Sequence, residues 1–176
     1  MEAAEQLRAT LTGNDHLIVP GNMGHPADVS RMIDEVVEAW GRLDILVNNA
    51  AIYAEHAVAD VSYAEWQAAW ERVIGVNLLG AANACYCAAR QMIQQRGGRI
   101  INVGSRGGYR GEPRFTSYGA SKAGLHQLSQ SLAQELGAYN IFVTAVAPGF
   151  VEGGMGEASL SGPGGRAPCT RPARPA

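Results

Sequence analysis

Apolar positions along this chain recur at two spacings, and the switch between them lays out the elements. Residues 2–11 place Ala4, Leu7 and Leu11 on one helical stripe. Residues 16–23 read as a short strand. Pro26 then suits the first turn of a helix whose apolar stripe, Val29, Ile33, Val36, Val37 and Trp40, stops at Gly41. A second strand covers 43–47 and is closed by Asn48-Asn49-Ala50-Ala51, where an asparagine can end a strand by bonding its own backbone. Helical spacing resumes over 63–95, and a third strand over 99–103 ends at Gly104-Ser105. A Gly- and Arg-rich loop then leads to a helix over 118–138, and a fourth strand, 141–146, is cut off by Pro148-Gly149.

Strands alternating with helices predict an α/β fold, a parallel sheet with helices on both faces. From Val76 to Met92 the long helix is apolar nearly all round, so both of its sides need cover. In a domain this small the expected second cover is another copy of the chain, with Ala84 and Ala88 facing it and Leu128 of the later helix adding to the patch. Past residue 152 the composition turns to Gly, Pro and Arg. Residues 153–176 hold too little apolar surface to fold and read as a disordered tail, which leaves 1–152 as the domain.

A chain of 176 residues that is 47% hydrophobic suits one domain with a sizeable core. Its formal net charge of -2 gives no electrostatic footprint for nucleic acid or for an anionic membrane. No apolar stretch reaches the roughly 18 residues of a membrane span and no signal-peptide core opens the sequence, so the expected location is the cytoplasm. Cys85, Cys87 and Cys169 form neither a disulfide framework nor a metal-ligand spacing. His16, His25, His56 and His126 read as surface or packing residues.

The chemistry gathers at Ser117-Tyr118-Gly119-Ala120-Ser121-Lys122. Residues four apart share a helix face, so Tyr118 and Lys122 point the same way, with Leu125, Leu132 and Leu136 continuing the stripe into the domain. Lys122 is the single lysine among the 14 lysines and arginines of the chain. A compact ammonium beside a phenol favours phenolate, which a planar guanidinium does not do in the same way, and a phenol so placed suits general acid/base work. In parallel sheets ligands lie at the carboxyl ends of the strands, where Asn48-Asn49, Ser105 and Pro148-Gly149 also fall.

The run Leu43-Asp44-Ile45-Leu46-Val47-Asn48-Asn49-Ala50, then Val76-Asn77, a strand ending in Ser105, Tyr118-x-x-x-Lys122 and Pro148-Gly149, in this order and spacing, resembles the short-chain dehydrogenase/reductase family over about residues 1–152. The resemblance implies a Rossmann-like, doubly wound parallel sheet and an NAD- or NADP-dependent oxidoreductase. Such an enzyme moves hydride between the nicotinamide and a small carbonyl or alcohol substrate, with 3-oxoacyl-carrier-protein reductases as one candidate class. It assigns Tyr118 as proton donor or acceptor, Ser105 as hydrogen-bond partner of the reacting oxygen, Lys122 as tuner of the phenol and holder of the nicotinamide ribose, and Asn77 as anchor of a relay water. It sets Asn22 and Met23 beside the adenine, Asn49, Ala50 and Ala51 along the cofactor, and Pro148, Gly149 and Val151 near the nicotinamide. It implies a homodimer or tetramer and no metal.

Bland readings stand beside these: Ser105 can cap the next segment, and Asn77 can satisfy backbone groups at a helix kink. There are departures too. Ala51 stands where glycine is usual, Asn22-Met23 where Asp-Val is common, and Glu152 where threonine often follows. No G-x-x-x-G-x-G turn lies near the N-terminus, so the sheet is expected to be incomplete, lacking the family's first two strands and last strand, with the phosphate cradle gone. The strand at 43–47 would then expose an apolar edge unless 16–23 moves in to cover it. The alternative function is a non-catalytic remnant or isoform that serves at most as an oligomerisation partner.

Overall fold

A computed structural model describes residues 2–149; Val151 and the segment 153–176 lie outside the described residues. The helices are α1 (Glu2–Thr10), α2 (Pro26–Trp40), α3 (Tyr63–Ile74), α4 (Ala81–Gln94) and α5 (Thr116–Leu136), and the strands are β1 (Ile45–Asn48), β2 (Gly98–Val103) and β3 (Ile141–Val146). The three strands form one parallel sheet in the order β1-β2-β3, with Leu46 beside Ile100 and Ile100 beside Val143. The α/β class and the parallel sheet are as the pattern predicts, but among the described residues helices cover one face of the sheet rather than both.

Local sequence sets most boundaries. Pro26 opens α2, and Gly41, at φ 71, closes it with its N–H donating to Val37 O at 2.7 Å. Ser62 and Glu65 form a reciprocal capping box at the start of α3. Alternation along β2 and β3 sends Ile100, Ile141 and Val143 to one face. There they pack with Cys85, Ala88, Ala89 and Met92 of α4 and Leu136 of α5. Each such large side chain taken fully from water contributes about 1.5–3 kcal/mol, so this cluster is the centre of the fold. Burial pushes the Cys85 thiol up to about 11, which leaves it an inert core residue.

Three expectations change. Residues 15–22 form no strand. A strand needs a partner ladder, and Pro20 has no N–H to give one. The segment is instead pinned to α2, where Arg31 donates to Pro20 O at 2.5 Å and Asn22 N–H to an Asp28 carboxylate oxygen at 2.9 Å. β1 therefore keeps a free edge among the described residues. The helix expected over 63–95 is interrupted by a π-helical turn, Gly75–Gly80. Ala84 and Ala88, expected on an outer face, are both buried, Ala88 within the cluster that packs on the sheet; Leu79 and Tyr86 face outward instead.

The face of the sheet away from the core cluster carries exposed Ile45 (54%), Val47 (52%) and Phe142 (60%), with the Arg99 guanidinium over the Phe142 ring. The residues of the expected site lie on or beside elements that pack on the covered side.

Candidate active site

Lys122 is buried beneath the site. It is 3% exposed and donates from Nζ to Val103 O at 2.7 Å, which fixes α5 against the last residue of β2. Burial pulls its ammonium from an ordinary 10.5 down to about 8. Nζ lies 5.7 Å from the Tyr118 ring centroid, so the cation and the half-buried phenol share one face of α5 as their spacing predicts.

Ser105 ends the β2 run and caps a short 3-10 turn, Arg106–Gly108. Its Oγ accepts the N–H of Gly107 at 3.0 Å. The capping role and a chemical role are compatible: the lone pair is used inward, which leaves the hydroxyl proton to donate elsewhere. The backbone of Ser105 is held by His126, whose Nε2 accepts its N–H at 3.4 Å while the ring stacks on Tyr109 at 4.3 Å. Burial, and then the charge on Lys122, hold His126 below its ordinary value, so the neutral ring that can accept this bond is the favoured form.

Asn77 sits in the π-helical turn and is 1% exposed. Its side chain pairs with both backbone groups of Ile52, accepting the N–H at 2.8 Å and donating to the carbonyl at 2.9 Å, and it donates to Ser121 Oγ at 3.2 Å. It thus joins the loop after β1 to α5 one residue before Lys122, so its side chain does satisfy backbone groups at a helix irregularity. π turns interrupt helices preferentially at functional sites.

The other expected residues lie at or near the surface. Asn49 and Ala50 are exposed at the carboxyl end of β1, with Ala51 half-buried after them. Asn22 and Met23 lie against the π turn: a Cβ on Gly80 would meet Met23 O at 2.3 Å, so only glycine allows this approach. Asn22 accepts the N–H of Gly24 with its own Oδ1 at 2.9 Å. Pro148 and Gly149 are exposed beside the Ser105 loop, where Arg106 N–H donates to Pro148 O at 3.1 Å. Ser105, Tyr118, Lys122 and Asn77 are brought together, and Val151 falls outside the described residues.

Several contributors escaped the sequence reading. Asn48 does not bond its own backbone. Its Nδ2 donates to Asn102 Oδ1 at 2.8 Å, Asn102 donates to Ser129 Oγ at 2.9 Å, and Ser129 donates to Leu125 O at 2.7 Å. This buried chain ties β1, β2 and α5 together under the strand ends. The signal available was an asparagine at an inward position of an apolar strand. Tyr53, stacked on Phe115 at 3.8 Å and edge-on to Tyr118 at 4.7 Å, had no such signal. Among the described residues no cluster of His, Cys, Asp and Glu could hold a metal ion, and no helix is long and apolar enough to cross a membrane.

Comparison with known proteins gives a family for the chain. The family model for short chain dehydrogenase matches residues 1–163. The chain is 40% identical over 154 residues to 3-oxoacyl-[acyl-carrier-protein] reductase FabG of Staphylococcus aureus (strain Mu50 / ATCC 700699), which covers 88% of this chain and 60% of that protein. It is 38% identical over 151 residues to short-chain dehydrogenase/reductase eriH of Hericium erinaceus, 85% of this chain and 58% of that one. Among solved structures, an NAD+-bound xylitol dehydrogenase superposes with TM-score 0.72 at 34% identity, covering 80% of this chain and 53% of that one. A gluconate 5-dehydrogenase from Burkholderia cenocepacia J2315 in complex with NADP and tartrate gives TM-score 0.72 at 30% identity, covering 81% and 54%. The chain spans about 60% of the length of the curated relatives it matches most fully.

Proposed function

Because the chain belongs to the short-chain dehydrogenase family, we propose that its site performs hydride transfer between a nicotinamide cofactor, NAD or NADP, and a carbonyl or alcohol carbon. The observation that carries this reading is the Tyr118–Lys122 pair, a half-buried phenol on one helix face with a buried ammonium. The residues present fit the nicotinamide-ribose end of such a cofactor. An ammonium has three N–H donors, and Val103 O takes one of those on Lys122, so the donor set suits ribose hydroxyls. The rest would lie along Asn22 and Met23, Asn49 to Ala51, and Pro148 and Gly149, which stand at or near the surface.

When bound, the cofactor supplies the hydride acceptor or donor. In the oxidative direction the Tyr118 phenolate takes the proton of the substrate hydroxyl as the hydride leaves its carbon and the C–O bond becomes a carbonyl. In the reductive direction the phenol returns the proton to the oxygen. Ser105 donates its hydroxyl proton to that same oxygen, so that its charge never stands uncompensated. Lys122 offsets the phenolate charge in a water-poor setting, where the attraction is stronger than in bulk water. Asn77 holds the loop after β1 to α5 and anchors the water through which the proton returns to solvent.

The relatives point to a small oxo or hydroxy substrate, with a 3-oxoacyl thioester the first to try, and the reading extends to a cytoplasmic homo-oligomer. The test is turnover followed by nicotinamide absorbance. Tyr118→Phe should abolish it, and Lys122→Arg should impair it despite keeping the charge, because the guanidinium fork cannot sit where the ammonium sits. A Phe variant with near-normal turnover would remove Tyr118 from the chemistry.

A further inference from the structure

The helix that carries Tyr118 and Lys122 starts without a cap of its own. Phe115 occupies the capping position and offers no side-chain acceptor. The first N–H groups of a helix stay unpaired unless an acceptor is brought to them. Here it arrives from far upstream in the chain. His56 is buried, and its Nε2 accepts the N–H of Ser117 at 3.2 Å and the hydroxyl of Thr116 at 3.1 Å. Nδ1 is then the protonated nitrogen and donates to Ala54 O at 2.9 Å. Both ring nitrogens are satisfied, and the tautomer is dictated by the partners.

The surrounding contacts act on the same junction. His56 N–H donates to Arg114 O at 2.9 Å, and the Arg114 guanidinium pairs with Glu55 and with Asp60. Trp66 of α3 meets the imidazole at 5.1 Å. Tyr53, three residues before His56, stacks on Phe115 and touches Tyr118 edge-on. The 53–60 segment therefore grips the residues immediately before Tyr118 by hydrogen bonds, ion pairs and ring contacts together.

We infer that His56 is a positioning residue for Tyr118, acting as a distant cap that fixes the first turn of α5 and with it the phenol. The inference rests on the reading of Tyr118 as the proton-transfer group; His56 itself touches neither substrate nor cofactor. Tyr118 lies in the first turn, where an uncapped helix frays, and a displacement near 1 Å at a reacting group can lower rates about 100-fold. An apolar side chain would fill the same volume without the cost of burying two polar nitrogens, so packing alone does not account for histidine here.

The experiment compares the wild type with His56→Leu and His56→Gln by amide exchange at Ser117, by the Tyr118 ring resonance (assigned from its loss in Tyr118→Phe) and by steady-state kinetics. In the wild type the Ser117 amide should be protected. The Leu variant should lose that protection, shift the Tyr118 signal and lower kcat about 10- to 100-fold, with KM within about twofold. Gln, whose Oε1 reaches as far as Nε2, should restore protection and most of kcat. A wild-type Ser117 amide exchanging like an open helix end overturns the inference whatever the variants do. So does a folded Leu variant with Ser117 protection and Tyr118 signal unchanged, or a folded Gln variant with Ser117 unprotected. Exchange and ring signals need no turnover, so an inactive wild type would count against the proposed function while the capping role is still decided.

Discussion

Replacing Lys122 with methionine should make the protein relatively more stable at neutral pH than at pH 10, because the fold holds a desolvated ammonium there. Burial lowers the group from an ordinary 10.5 to about 8. The sign follows from proton binding. Between about pH 8 and 10.5 the unfolded chain keeps the lysine proton while the native state gives it up, so stability rises with pH across that window. Below about pH 8 both states carry the proton and the full cost of the buried charge is present. At about 1.4 kcal/mol per pH unit the displacement amounts to roughly 3 kcal/mol. A methionine in this position would not titrate, so the variant would feel none of this. It would also leave Val103 O without the 2.7 Å donor, a loss of about 1–3 kcal/mol that is nearly independent of pH. The two effects nearly cancel at neutral pH, which makes a single measurement there uninformative.

The pH dependence of the difference separates them. Urea unfolding of wild type and Lys122→Met, run side by side from about pH 7 to 10.5, should show the wild type gaining roughly 3 kcal/mol relative to the variant. With Tyr118→Phe introduced in both proteins, the remaining alkaline titrations lie apart from the site, are common to both and drop out of the difference. A difference that stays flat with pH would mean that the ammonium keeps its water in the folded protein. Lys122 would then not act on Tyr118 from a water-poor setting, whatever the activity measurements say.

Gly80→Ala sets helix propensity against a steric clash. Alanine gains about 1 kcal/mol in a helical turn, but its Cβ would lie 2.3 Å from Met23 O, a backbone atom, so a net loss of about 1–2 kcal/mol is expected in chemical denaturation; a stabilised variant would show that Asn22–Gly24 is not seated on the π turn. If the chain self-associates through the outward side of its long helical region, sedimentation of Leu79→Glu with Tyr86→Glu should give monomer where the wild type gives dimer or larger; a monomeric wild type at micromolar concentration would end that reading.

How far the sequence announced this structure depends on the range of each interaction. The Tyr118–Lys122 pair is a four-residue spacing on one helix, and that spacing alone puts both groups on one face. The capping box at Ser62 and Glu65, the proline opening α2 and the glycine closing it are equally local, so those boundaries could be read directly. The segment 16–23 has strand-like composition, but whether it becomes a strand depends on a neighbour it does not itself encode. It is held to α2 by Arg31 and Asp28 instead. Ala84 and Ala88 show the limit of periodicity on an all-apolar helix: with no polar side to mark the outside, the pattern could not tell which alanines meet the sheet.

The histidines make the sharpest case for why part of a site stays hidden. His56 and His126 match no catalytic spacing, and a lone histidine is ordinarily packing. Yet one accepts the N–H of Ser117 from across the chain and the other accepts the N–H of Ser105 from one turn beyond Lys122. Each addresses the backbone of a residue adjacent to, or identical with, a group in the proposed chemistry. Such contacts leave no spacing rule behind, because the acceptor can be carried by any segment that the fold brings near. The residues proposed for the proton transfer can therefore be found by motif, whereas those that hold them in place are found only by asking which buried acceptor each backbone N–H at the site has met.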